Sequence, residues 1–196
     1  ASGSFLKRQY RVCPPGAPIT GEPGRWVTVT VAPDPVAELS DEVLSATATK
    51  ALVPLPSDVN PPERAAANLG LWLAVDPNRA SVTVRAELGP SVWMETSATL
   101  VSTRWDMGNG DVVVCVGGGT PIPESALNEA GQSPTCGYTY TSVDDLGALT
   151  ISVTGVYEVS WTASDGRTGT FADITTNPNQ IPYEMYEIQT VGGTSG

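Results

Sequence analysis

The sequence predicts a mostly β protein, an antiparallel β-sandwich preceded by an N-terminal extension that contains one helix. Three observations carry this. From Leu69 onward, short stretches rich in Val, Thr, Ile and aromatic residues recur, many with period-2 alternation, the pattern of half-buried strands. Turn residues punctuate those stretches at regular intervals, as a sandwich of short strands requires. Convincing helical spacing occurs once, between residues 34 and 52. The chain of 196 residues then divides into an arm, strand and helix (1–64), a sandwich (65–191) and a flexible tail (192–196).

Residues 1–25 read as an extended arm with turns at Pro14-Pro15-Gly16 and Glu22-Pro23-Gly24. Trp26 to Val31 alternates strictly and is β-branched, so it reads as a strand. Pro33-Asp34-Pro35 ends it. Val36, Leu39, Val43 and Leu44 then recur at helical spacing, with Asp34 placed to cap and Pro35 at the first helical position. Early acids (Glu38, Asp41, Glu42) and a late Lys50 suit the helix dipole.

Residues 53–68 hold Pro54, Pro56, Pro61 and Pro62 and read as a crossing segment or linker. Strands are expected at 69–75, 81–88, 92–105, 111–116, 137–142, 148–163, 167–175 and 183–191. Gly155, inside the longest of these, marks a bulge or bend. Asp165-Gly166 signals a hairpin.

The most informative stretch runs from Trp105 to Tyr140. It opens with Trp105-Asp106-Met107-Gly108-Asn109-Gly110 and closes with Cys136-Gly137-Tyr138-Thr139-Tyr140. Gly108 and Gly110 permit the positive φ that a tight reversal needs, and Asp106 is placed to accept hydrogen bonds from the turn amides. Trp105 reads as a plug between sheets rather than a ligand platform. Cys115 and Cys136 flank a Gly/Pro-rich loop of 20 intervening residues. Their pairing would close that loop and place the chain in an oxidising compartment; the alternative is two buried free thiols. Cys13 is left over, either free or paired with another chain.

These residues resemble the polycystic-kidney-disease (PKD) domain family, whose signature is a Trp-Asp-x-Gly-Asp-Gly turn, a later His-x-Tyr and an alternating Thr/Val strand. Trp105, Asp106, Gly108 and Gly110 match the turn, Tyr138 and Tyr140 stand at the His-x-Tyr positions, and Thr150 to Thr154 match the strand. Asn109 replaces Asp, Tyr138 replaces His, and the loop between the halves is long. The resemblance implies an immunoglobulin-like, PKD-like sandwich over 65–191. The chain also resembles secreted proteins of high-GC bacteria that carry a Leu-Trp-Leu-x-Val-Asp strand (Leu71–Asp76 here) and a Ser-Pro-x-Cys-Gly-x-Thr-Tyr loop end (Ser133–Tyr140). That likeness implies a secreted or cell-surface, extracytoplasmic protein encoded near envelope machinery.

Composition narrows the chemistry. The formal net charge is −11, which argues against nucleic acid. Lys7, Arg8 and Arg11 lie in a first segment of eleven residues without an acid, which carries +3 and leaves −14 on the remainder. Such an arm suits docking onto a neighbouring copy; it also suits a solvated tail. Histidine is absent, which removes Ser-His-Asp and Cys-His catalysis and His-ligated zinc. No apolar run is long enough for a transmembrane helix.

Other constellations are weaker. Asp144-Asp145 reads as a solvated loop rather than a glycosidase pair. Asp106, Asn109, Asp111, Asp144 and Asp145 are oxygen donors near turns, but not at EF-hand spacing, so calcium stays a minor option and no other cofactor is implied. Thr47 and Lys50 are three apart on the helix, a spacing more often a surface contact than a dyad. Gly117-Gly118-Gly119 lacks the ending of a phosphate loop. Trp72 and Trp93 lie in strand patterns. With Leu71, Leu73 and Val75 facing the core, Trp72 is either exposed or covered by the helix, the second being preferred.

The expected function is a non-enzymatic extracellular structural or assembly module making protein–protein contacts, self-assembly included, at the cell envelope or in a surface filament. Lys7, Arg8, Arg11, Trp72 and Trp93 are its candidate interaction residues. The alternative is a carbohydrate-binding module that uses Trp72 and Trp93 on a polysaccharide.

Overall fold

The computed structural model describes residues 6–11, 26–31, 34–123 and 135–188, the first two segments through their backbone. Among the described residues the protein is mostly β with one α-helix. Strands β1 (Leu6–Arg11) and β2 (Trp26–Val31) form an antiparallel ribbon that, among the described residues, pairs with neither of the other sheets.

Helix α1 (Pro35–Ala51) forms where the spacing places it. The Asp34 carboxylate accepts from the Val36 and Ala37 amides at 3.0 and 3.4 Å, which satisfies two of the four orphan donors of the first turn. Its buried stripe is Val36, Leu39, Val43, Thr47 and Ala51. The helix packs on β6 (Ser81–Glu87) and β7 (Trp93–Asp106), where Leu39 and Val43 meet Ala86 and Met94 in a small core. It lies over that face of the large sheet rather than over Trp72, contrary to the preferred expectation for that tryptophan. The Thr47 hydroxyl is buried, donates to the Val43 carbonyl at 2.7 Å and lies 2.5 Å from the Thr96 hydroxyl. It therefore serves the helix–sheet contact, while Lys50 is exposed.

The proline-rich segment is not a bare linker. It contributes β3 (Ser57–Asn60) and β4 (Arg64–Ala66). β3 joins β5 (Gly70–Val75) and β9 (Gly137–Thr139) in a three-stranded sheet. β4 runs parallel to β13 (Asn179–Tyr186) at the edge of the large sheet. That sheet has the order β4-β13-β10-β7-β6, with β10 spanning Gly147–Ala163. β8 (Val112–Val116) pairs with the second half of β7. β11 (Thr168–Thr170) and β12 (Ile174–Thr175) pair with the second half of β10. One core cluster joins the two sheets: Leu71, Leu73 and Val75 from β5 meet Trp105, Ile151, Val153, Tyr157 and Tyr183 from the large sheet.

Two irregularities shape the large sheet. Tyr157 pairs with Leu100 and Val156 with Ser102, so Val101 is an extra residue on β7. This bulge changes the buried face of β7 from even residues (Met94, Thr96, Ala98, Leu100) to odd ones (Thr103, Trp105). The extra residue thus belongs to the partner strand of Gly155. Gly155 is needed for space, since a Cβ there would lie 2.6 Å from Leu55 Cδ1 and 2.7 Å from Leu100 Cδ1. The second irregularity splits the expected 167–175 strand. Three residues, Phe171 to Asp173, stand opposite two on β10, and the break opens a cleft of about 260 Å³ lined by Thr99, Glu158, Ser160, Thr170, Phe171 and Asp173.

The hairpin between β10 and β11 ties back to the helix. The Arg167 guanidinium donates to both Asp34 carboxylate oxygens (2.7 and 2.9 Å) and to Asp165 (2.6 Å). The Arg167 hydrogen bond, more than any other contact, holds the Asp34 carboxyl below the usual carboxylate value. A group with a depressed folded pKa stabilises the fold above its unfolded pKa, near 4, and loses that contribution as pH falls toward the folded value. Arg167→Gln is therefore expected to lower the urea midpoint slightly at pH 6, with the difference from wild type shrinking as pH falls below about 4 and gone once pH lies below the folded value. A difference that persists undiminished at pH 2 would assign the effect to packing.

Candidate functional site

The Trp105–Tyr140 stretch folds as one unit. Asp106 leaves β7 and its carboxylate accepts from the Gly108 amide at 3.0 Å, the turn contact expected of it. Gly108 has φ +78° and Gly110 φ +97°, the region that favours glycine. Trp105 is fully buried. Its indole donates to the Thr103 hydroxyl at 3.2 Å, which in turn donates to the Gly117 carbonyl at 3.1 Å. The tryptophan thus anchors the far end of β8 as well as the core.

The two tyrosines close the turn. Tyr140 is fully buried and donates to the Met107 carbonyl at 2.5 Å; burial pushes its phenol well above the ordinary value. Tyr138 meets Tyr140 edge to face at 4.7 Å between centroids. Its hydroxyl donates to the Asp111 carboxylate and accepts from Asn109 Nδ2 at 3.0 Å. Burial is the main cause of its raised pKa, followed by Asp111, so the phenol stays protonated and holds the turn together.

Asn109 explains itself here. Its amide nitrogen also donates to Asp145 at 2.9 Å, while its oxygen accepts from the Asp111 amide at 3.1 Å. Asn109 therefore offers Asp145 a donor, where a cation site needs acceptors. Among the described residues no group of three or more acids or cysteines is arranged to hold a metal.

Cys115 and Cys136 form a disulfide with 5.6 Å between Cα atoms. It joins β8 of the large sheet to the residue that leads into β9 of the small one. A disulfide is compatible with an extracytoplasmic location. Among the described residues no helix is long and apolar enough to cross a membrane. Cys13 lies outside the described residues, as does most of the loop between the cysteines (124–134).

The structure does not bring the candidate interaction residues together. Trp72 is in β5 of the small sheet and Trp93 in β7 of the large one. Trp72 is half-buried, with an indole nitrogen that has no partner among the described residues. The Arg85 guanidinium lies 4.2 Å from the centre of the Trp93 ring, which occupies a face that a sugar would stack on. Lys7, Arg8 and Arg11 are on β1.

One feature escaped the sequence reading. Val112, Val114 and Val116 are exposed at 41%, 67% and 90%, and their strand β8 has β7 on one side and, among the described residues, no strand on the other. The signal was present as Val-Val-Val-Cys-Val, but an uninterrupted apolar run reads as a buried strand. Comparison of this chain with protein-family profiles, with curated proteins and with solved structures returns no match.

Proposed function

We propose that this chain is a non-enzymatic extracytoplasmic structural or assembly module, built on an immunoglobulin-like sandwich of the PKD kind and working through protein–protein contacts at the cell envelope. The connectivity supports the sandwich. Strands β7, β10 and β13 lie side by side, as the C, F and G strands of an immunoglobulin-type sheet do. Strands β3, β5 and β9 form the opposing sheet, and the early β4 pairs in parallel with the last strand. The turn residues of the PKD resemblance, Trp105, Asp106, Gly108 and Gly110, form the corner and its core, which leaves partner contacts to other surfaces.

The observation that carries the assembly reading is the β8 edge. Edge strands are ordinarily protected by charge, proline or cover, because an unprotected one accepts a strand from another chain. β8 is uncharged, lacks proline and exposes three valines. The test is sedimentation velocity of the full chain over a wide concentration range, with NMR of the N-terminal ribbon. Concentration-dependent association with ordering of the ribbon is expected. A strict monomer at the solubility limit, with the ribbon tumbling freely, would sink self-assembly.

A further inference from the structure

The backbone pairing of β8 fixes which of its groups are unsatisfied. The Gly117 amide donates to Val101 and the Met107 amide to Asp111. In an antiparallel pair the bonded residues alternate, so Val113 and Cys115 turn their amide and carbonyl groups toward β7. Val112, Val114 and Val116 turn theirs outward, and no strand among the described residues meets them. The exposed valines are thus also the residues with open backbone groups. Among the other described edges, β3, β4 and β6 carry charge (Asp58; Arg64; Arg85 and Glu87), while β9, β11 and β12 are uncharged but only two or three residues long.

A complementary element exists in the same chain. Among the described residues the β1–β2 ribbon pairs with neither sheet, and a lone two-stranded ribbon is marginally stable in water. β1 carries Lys7, Arg8 and Arg11 and no acid. The end of β8 is acidic: Asp111 precedes the strand, Asp106 pairs with Val112, and Asp145 is tied to the same turn through Asn109. Arg104, opposite Val114, is the cation on that side.

We infer that the β1–β2 ribbon of a neighbouring copy adds to the free edge of β8, with β1 as the adjoining strand, so that copies associate head to tail. The choice of β1 follows from distance. Neighbouring strands are about 4.8 Å apart, within the screening length of about 8 Å at physiological salt, whereas a strand beyond β2 is about 10 Å away. Because donor and acceptor surfaces differ, the contact is heterologous and extends to a chain of copies unless the rotation closes a ring.

This inference rests on the assembly reading, and variants of the full-length chain separate the two. Val114→Lys places a cation at the edge on an exposed side chain and is expected to keep the fold, checked by circular dichroism and thermal midpoint. It should weaken association about ten-fold or more, because it meets the basic β1. The triple variant Lys7→Glu, Arg8→Glu, Arg11→Glu should do the same from the donor side. Mixing the two variants should restore a heterodimer, since each retains one intact half. Val114→Thr, which keeps the strand edge uncharged, should associate like wild type. Association of Val114→Lys at wild-type strength would overturn the inference while leaving assembly in place. So would loss of association in Val114→Lys with none in the triple variant, which marks an edge-to-edge pairing of two β8 strands. A wild-type monomer would remove both readings.

Discussion

Gly108→Ala is expected to destabilise the fold by about 3 kcal/mol or more, while Gly110→Ala, two residues away, costs about 1 kcal/mol. Both glycines have positive φ, +78° and +97°, so both replacements incur the strain of a left-handed residue. They differ in what the new methyl meets. At Gly108 it would lie 2.7 Å from the Thr150 carbonyl oxygen and 3.1 Å from the Thr150 nitrogen. Those are backbone atoms of the central strand β10, which pairs there with Pro182 of β13 and cannot retreat as a side-chain tip can. At Gly110 nothing lies within 4 Å. The turn must therefore move at Gly108, and with it the Met107 carbonyl that accepts from Tyr140. Urea unfolding at constant slope measures both differences. Equal losses for the two variants would show that conformation, not the approach to β10, governs the turn.

This contrast marks what the sequence made legible. The turn, its capping Asp106 and the two glycines were readable because each uses local chemistry, encoded within a few residues. The helix was readable for the same reason: Asp34, Pro35 and the Val36-Leu39-Val43 stripe are all local. The missed elements depend on distant partners. β3 and β4 sit among prolines that normally exclude strands. They are tolerated because β3 is an edge of the small sheet and β4 pairs only with Glu184, Met185 and Tyr186. β13 was expected from 183, after Pro182, yet it begins at Asn179. Pro182 fits because β4 does not reach that position, so no neighbour on that side needs its amide. The bulge at Val101 left no trace in composition, since it is a question of register between two strands far apart in sequence.

The candidate site divides along the same line. The Cys115–Cys136 pair and the meeting of the Trp105 turn with Tyr138 and Tyr140 were within reach of spacing and resemblance. The role of Asn109 was not, because it requires Tyr138, Asp111 and Asp145 to converge from three segments. The valine edge was hidden because composition gives hydrophobicity but not which side of a strand lacks a neighbour.

Removal of the disulfide by the double replacement Cys115→Ala and Cys136→Ala is expected to lower stability by about 3 kcal/mol. The chain-entropy argument supplies that figure from the sequence separation of 21, since the unfolded chain regains the freedom of a closed loop of that length. The native contacts at the loop ends set how much of it is realised. On one side β8 pairs, among the described strands, only with β7. On the other, Cys136 leads into β9, which pairs with Gly70, Leu71 and Trp72. The bond is thus a covalent tie between the two sheets at the point where β8 has no second neighbour among the described strands. Both positions must be changed together, because a single replacement leaves a thiol free to exchange with Cys13. Urea midpoints of the double variant and of oxidised wild type decide the size of the effect. A loss under about 1 kcal/mol would mean that other contacts already hold the loop ends, such as the 2.8 Å contact between the Thr120 and Thr135 hydroxyls and the Gly118 carbonyl that accepts from Val75. A loss of the expected size has a consequence for the valine edge. With β7 the one described strand beside it, β8 keeps its register through that ladder and the tie at Cys115. Loosening the tie should therefore weaken strand addition as well as the fold, so association and oxidation are expected to fall together.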